Sequence, residues 1–271
     1  MIVDNPQQKP HSKLLLEQVS KEYPISGGDL LLAVSDVSFD VIENEVCVLL
    51  GPSGCGKSTI LHMMAGLNDP TAGRLTLDGR EIHGPSRDRG MVFQGYTSFP
   101  WLTVEQNVEY GMRLNKVPAK ERRERVDFFI DRVNLTRFRK AFPKQLSGGM
   151  KQRVAIARML ANAPEISLMD EPFGALDAET RWHMQELLLD IIDDTQMTVV
   201  MVTHDIPEAL FLADRIVFLS SHPGRIKEIL NMDFKQGRRI TNKEELIETP
   251  GYIDIEREIL HMMRQEASSE D

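Results

Sequence analysis

The chain has 271 residues, 41% of them hydrophobic and 27% charged, which allows one large domain with a proper core and at most a small appendage. A formal net charge of -9 argues against nucleic acid as the main partner, because phosphate-binding surfaces are basic overall. No apolar run approaches the roughly 18 residues of a membrane-spanning helix, and Met1–Lys13, polar with two prolines, lacks a signal-peptide core, so export is not expected.

After that polar start, Leu14–Val19 alternates into a first strand, interrupted by Tyr23-Pro24 and the turn Ser26-Gly27-Gly28-Asp29. Leu31–Ile42 reads as a second strand pair by its period of two. Val46–Leu50 is wholly apolar, the pattern of a strand buried on both faces of a parallel sheet. From Lys57 to Leu67, Ile60, Leu61, Met64 and Leu67 recur at helical spacing. Short strands and turns return between Arg74 and Phe93.

From Thr103 to Lys144 the texture is helical, opening on a capping box of Thr103 and Gln106, with Val126, Phe129, Ile130 and Val133 in register. The bases of Lys116–Lys144 are interspersed with Glu121, Glu124, Asp127 and Asp131, which suits a solvated helical face better than an anion-binding surface. A helix over Gly149–Ala161 follows, then strand Ile166–Met169, helix Ala178–Asp193, strand Thr198–Thr203, helix Ile206–Ala213 and strand Arg215–Leu219. Strands alternating with helices predict an α/β fold with a mostly parallel sheet.

Beyond Asn231, Lys243–Ile247 and Ile253–Arg264 are amphipathic. A helix packed on the domain edge with a frayed acidic tail, Ser268–Asp271, is preferred over a regulatory extension. Cys47, in an apolar strand, and Cys55, in a glycine-rich loop, suggest no disulfide framework and suit a reducing cytosol. The fourteen methionines follow apolar faces and read as core fillers.

Gly51-Pro52-Ser53-Gly54-Cys55-Gly56-Lys57-Ser58 fits G-x-x-x-x-G-K-[ST] in full, directly after a buried strand and before a helix. The glycines let backbone N–H groups converge on a phosphate, and the helix adds its positive N-terminal end. Lys57 then neutralises the β- and γ-phosphates, and Ser58 offers a hydroxyl to Mg²⁺. An ordinary glycine turn rarely carries Lys-Ser in this register. Cys55 lies near a helix N-terminus, which can activate a thiol, although a small tolerated loop residue is the plainer reading.

Ile166–Glu171 is an apolar strand ending in two carboxylates. Asp170 is placed to reach the metal's hydration shell and Glu171 to orient or deprotonate the attacking water. Taken alone, such a pair is as often structural. Leu146-Ser147-Gly148-Gly149-Met150-Lys151-Gln152-Arg153 adds a second glycine-rich helix start, capable of holding an anion.

With these segments in this order the sequence resembles the ABC ATPase family over roughly Leu14 to Leu230. Gly51–Ser58, followed by Thr59, matches Walker A, Leu146–Arg153 the signature, and Ile166–Glu171 Walker B. Pro172–Asp177 resembles the segment into the D-loop, with Asp177 as its acid; Gln94 matches the Q-loop glutamine, His204 the switch histidine, and Tyr23 the aromatic that stacks on adenine.

The resemblance implies a P-loop core with an antiparallel β subdomain and an inserted helical subdomain near residues 103–160, within an ATPase domain at 14–230 and a C-terminal helical extension at 231–271. It implies a homodimer in which each ATP lies between one copy's P-loop and Ser147-Gly148-Gly149 of the other. Ser58, Gln94 and Asp170 are then Mg²⁺ ligands, Glu171 and His204 the catalytic residues. The implied setting is peripheral, on the cytoplasmic face of the inner membrane, with a transmembrane permease and, indirectly, a periplasmic or lipoprotein solute-binding protein.

Ser98–Val104, with Pro100-Trp101, and His222-Pro223-Gly224-Arg225-Ile226 are similar to the nitrate/sulfonate/taurine branch of importers, although Phe99 and His222 stand where Leu and Arg are usual. A soluble ABC ATPase acting on DNA or the ribosome fits poorly with one acidic domain lacking a heptad run. A nucleotide-gated regulator without turnover fits poorly with Glu171 and His204 both present. A plain P-loop kinase has no use for Leu146–Arg153.

Overall fold

The computed structural model describes residues 11–95 and 97–268. Strand β1 (Ser12–Pro24) pairs antiparallel with β2 (Leu30–Ile42), and β3 (Val46–Leu50) leads through the glycine loop into helix α1 (Lys57–Met64). Strands β4 (Ala72–Leu77), β5 (Arg80–Glu81) and β6 (Arg89–Val92) precede helices α2 (Val104–Leu114), α3 (Ala119–Arg132) and α4 (Gly148–Ala161). Then come β7 (Ile166–Asp170), α5 (Ala178–Thr195), β8 (Thr198–Thr203), α6 (Ile206–Leu212), β9 (Arg215–Leu219), β10 (Ile226–Asn231), α7 (Lys243–Glu248) and α8 (Tyr252–Ala267).

Among the described residues two sheets form, one ordered β2-β1-β4-β5 and antiparallel, the other ordered β10-β9-β3-β8-β7-β6. In the second sheet β9, β3, β8, β7 and β6 are mutually parallel and β10 closes one edge antiparallel. Central strands β3, β7 and β8 are buried along their whole length, as their unbroken apolar runs require. One face packs with the antiparallel sheet and α1, where Leu14, Leu16, Val37, Leu49, Ile60 and Val200 meet. The other face shares one core with the helical segment and the C-terminal helices, through Val48, Val126, Ile130, Val154, Met169, Leu246 and Ile259.

Several local expectations are corrected. Tyr23-Pro24 lies inside β1, not beyond it, because bulges near Gln18 and Ser20 realign the strand and Pro24, as its last residue, withholds little from the ladder. Leu30–Ile42 is one continuous strand whose partner is β1, not a strand pair of its own. Helix α1 stops at Met64, short of Leu67: Gly66 turns left-handed at φ 72° and its Cβ position lies 2.1 Å from the Gly84 carbonyl oxygen, so only glycine serves as this stop.

The capping box on α2 is present, with Thr103 Oγ1 accepting from the Gln106 N–H and Gln106 Oε1 from the Thr103 N–H. The basic segment is paired with acids of its own and of α2: Arg125 meets Glu121, Arg122 meets Glu109, and Arg139 bridges Glu105 and Asp127. The C-terminal helices are built into the core. Lys235 donates to the Phe211 and Ala213 carbonyls at 2.9 and 2.6 Å, closing the end of α6. Of the polar start, residues 1–10, and of the acidic tail, residues 269–271, lie outside the described residues.

Candidate nucleotide site

The loop after β3 is shaped by backbone contacts that exclude side chains. At Gly51 a Cβ would sit 2.7 Å from the Leu219 carbonyl oxygen; at Gly56, with φ 93°, it would sit 2.9 Å from the Ala33 carbonyl oxygen. Lys57, 6% exposed, curls back to donate to the Gly51 and Pro52 carbonyls at 2.8 and 2.6 Å. Its ammonium is thus pre-positioned beside the loop. Cys55 is fully buried beneath, its Sγ 3.7 Å from Lys57 Nζ. Burial pushes the Cys55 thiol up, outweighing the pull of Lys57, so the reading of a reactive thiol is set aside.

Parallel strands bring the acids to the same end of the sheet. Asp170, the last residue of β7, is 5% exposed and accepts from Ser58 Oγ at 2.9 Å, with His62 Nε2 3.8 Å from its other oxygen. Burial holds the Asp170 carboxyl above the usual range, partly offset by the Ser58 hydroxyl and His62. Glu171 follows in a left-handed conformation, φ 44°, with its N–H donating to the Val202 carbonyl at 3.0 Å. Its Oε2 accepts from Gln94 Nε2 at 3.0 Å and its Oε1 lies 3.0 Å from His204 Nδ1.

A cleft of ≈ 470 Å³ opens over this loop. Tyr23, Ser53, Gly54, Gly56, Lys57, Ser58, Thr59, Gln94 and Glu171 line it, while Gly51, Pro52 and Cys55 complete the loop. Tyr23 stands opposite Leu31 in the strand register, its ring 5.2 Å from Lys21 Nζ and its hydroxyl 3.4 Å from Asn68 Nδ2.

Four predicted residues stand apart from the cleft within one chain. Ser147 caps α4 by accepting from the Met150 N–H at 3.3 Å, and Gly148 and Gly149 form its half-buried first turn. Asp177 caps α5 by accepting from the Thr180 N–H at 3.0 Å, a bond that holds its carboxyl below the usual range. Sequence reasoning missed Leu31, Ala33 and His222 as cleft-lining residues and His62 beside Asp170. The register of β2 against Tyr23 would have signalled Leu31; His222 reaches the cleft by a tertiary turn.

The residues present fit a magnesium nucleotide. The available donors are hard oxygens: the Asp170 carboxylate with the Ser58 hydroxyl beside it, and the side-chain carbonyl of Gln94, whose amide nitrogen is spent on Glu171. No cluster of three or more His, Cys, Asp or Glu side chains suited to a metal occurs among the described residues. Such a sparse set suits Mg²⁺, which keeps waters and phosphate oxygens as its other ligands.

The ABC transporter family model matches residues 34–174. The chain is 47% identical to an uncharacterized ABC transporter ATP-binding protein of Methanocaldococcus jannaschii, covering 94% of this chain and 92% of that one. It is 48% identical to the nitrate import ATP-binding protein NrtD of Synechocystis sp., over 75% and 76% of the two chains. It is 44% identical to the bicarbonate transport ATP-binding protein CmpC of Synechococcus elongatus, covering 93% of this chain and only 38% of that longer one. Among solved structures, a dimeric ATP-binding cassette in a post-hydrolysis state with ADP and Pi superposes with a TM-score of 0.74 at 35% identity, covering 81% of this chain and 98% of that one. With its loop, acids and sheet order in this arrangement, the chain belongs to the ABC transporter family and is one of that family's ATPases.

Proposed function

We propose that two copies of this chain hydrolyse Mg-ATP to drive a separate permease that imports a small anion of the nitrate, bicarbonate or sulfonate kind. The observation that carries the reading is Glu171, set at the strand end beside the Ser58–Asp170 pair and gripped on both oxygens by Gln94 and His204.

The loop N–H groups and Lys57 bind the phosphates, Tyr23 stacks on the base, and Ser58, Gln94 and Asp170 take the Mg²⁺ that travels with the nucleotide. Bound there, the metal neutralises charge on the phosphates. Glu171 accepts a proton from the attacking water, and Gln94 and His204 keep its carboxylate aimed. Ser147, Gly148, Gly149 and Asp177 lie on a surface that a second copy would bring against this cleft. The dimeric solved cassette supports that arrangement.

Residues 14–230 are taken as the ATPase domain and 231–271 as its helical extension. The import ATP-binding relatives support placing the chain on the cytoplasmic face of the inner membrane, held by the permease; no described helix is long and apolar enough to cross a membrane. Trp101, 69% exposed with its ring tilted against Phe99 at 5.7 Å, lies in the turn before α2, on the surface that would grip a permease loop. A solute-binding protein would act only through that permease. The anion class is supported by the nitrate and bicarbonate relatives.

Uptake of labelled nitrate, bicarbonate and taurine by cells lacking the chain, with and without its return, tests this. Loss and recovery of one anion's uptake is expected. Unchanged uptake of all three would overturn the solute class, and absence of Mg-dependent ATPase activity in the purified complex would overturn the enzyme role.

A further inference from the structure

One turn at the cleft is not used by the ATPase reading. The turn Ser220–Arg225 comes from the far end of β9, and its Gly224 rests directly on the glycine loop: a Cβ there would lie 2.0 Å from the Cys55 carbonyl oxygen. Two backbone bonds fix the turn to β2, Gly224 N–H to the Ala33 carbonyl at 3.0 Å and Ser35 N–H to the Gly224 carbonyl at 2.9 Å. His222, two residues earlier, lines the cleft together with Ala33, Leu31 and Tyr23. Its imidazole is exposed and bonds to none of the described residues.

The turn is also held from outside. Glu266, near the end of α8 and 7% exposed, accepts from the Ser221 N–H at 2.7 Å and from the Ser221 hydroxyl at 3.1 Å, and pairs with Lys227 at 2.6 Å. Ser221 is the residue next to His222. A buried carboxylate satisfied by three donors is a firm anchor, because each donor lost leaves part of the desolvated charge unmet. The C-terminal helix thereby sets the position of a side chain on the nucleotide cleft.

We propose that His222 contacts the nucleoside part of bound ATP, and that Glu266 is the positioning residue that holds it there. This rests on the ATP-binding reading of the cleft. An imidazole both donates and accepts, which suits a ribose hydroxyl or a base edge; its turn is bonded to Ala33 of β2, the strand that sets Leu31 opposite Tyr23, and these three residues line the cleft with it. The C-terminal extension then serves nucleotide recognition as well as packing.

Affinity for ATP and for inorganic triphosphate, measured on the full chain, separates contacts to the nucleoside from contacts to the phosphates. His222→Ala should weaken ATP about fivefold, the worth of one net hydrogen bond, and leave triphosphate unchanged. Glu266→Ala should weaken ATP in the same selective way, Glu266→Gln, which keeps an acceptor for Ser221, should restore part of it, and His222→Ala with Glu266→Ala should be no weaker than His222→Ala alone. Unaltered ATP affinity in His222→Ala, or equal loss of ATP and triphosphate, would overturn the contact. Additive losses in the double variant would overturn the positioning role. Failure of the unmodified chain to bind either ligand would instead overturn the ATP-binding reading, and this inference with it.

Discussion

Glu171 and His204 are 33 positions apart in the chain, yet Glu171 Oε1 and His204 Nδ1 are 3.0 Å apart. The closeness follows from β7 and β8 being parallel neighbours in register Asp170↔Val202, so that residues just past each strand end emerge side by side. Gln94 arrives on the other side of the carboxylate from beyond β6, the next strand in the sheet. Three adjacent parallel strands thus deliver an acid and its two orienting groups to one point.

Replacing Glu171 with Gln keeps the size and both neighbours but removes the proton acceptor. Turnover should fall by about 10²–10⁴-fold, ATP affinity should stay within about threefold, and an ATP-bound dimer should accumulate on a sizing column. A monomer with normal turnover would refute the role.

Shared sites make a sharper prediction. Ser147→Arg should abolish hydrolysis although Ser147 is absent from the cleft of its own chain. Mixed with Lys57→Ala chains, it should recover at most one working site per mixed dimer, read as steady-state ATPase activity. Full recovery would rule out a site built from two copies.

Asp170 sets stability against function. Its carboxyl is held above the usual range chiefly by burial, so its ionised form costs folding free energy. That cost is absent below the ordinary carboxylate pKa and appears as pH rises through the folded value. Asp170→Asn should therefore melt higher than the unmodified chain near pH 7, with the gap closing toward acid, while Mg-dependent turnover falls by at least about 100-fold. A lower melting temperature at pH 7 would contradict this.

Lys235 gives a second pH signature, on the alkaline side. Burial pushes its pKa down to about 8 from 10.5. Between those values the unfolded chain binds more protons than the folded one, so this residue's contribution to stability rises with pH and its cost is fully present below about 8. Relative to Lys235→Met, the unmodified chain should gain up to about 1.4 kcal/mol per pH unit across that window in urea melts. A flat difference would show that Lys235 is not desolvated as its 3% exposure implies.

The order of chemistry along the chain was legible in one dimension. The glycine loop with Lys57 and Ser58, the acids ending an apolar strand, and the glycine start of α4 all depend on neighbours a few residues away, and local chemistry suffices to read them. The unbroken apolar runs of β3 and β8 likewise announce burial on both faces. Other features depended on residues far off. The continuation of β1 through Tyr23-Pro24 is decided by bulges against β2, and the end of α1 by the approach of Gly84 to Gly66. Whether Cys55 was reactive turned on its burial under Lys57, which outweighs the helix end beside it. His222 reached the cleft only because Gly224 lies on the loop and Glu266 holds Ser221 from another helix. By itself the sequence determined which groups bind phosphate and in what order they come, because those patterns are short-range; which side chains share a cleft was decided by sheet register and packing, since distance in space between remote segments exists only once the chain has closed on itself.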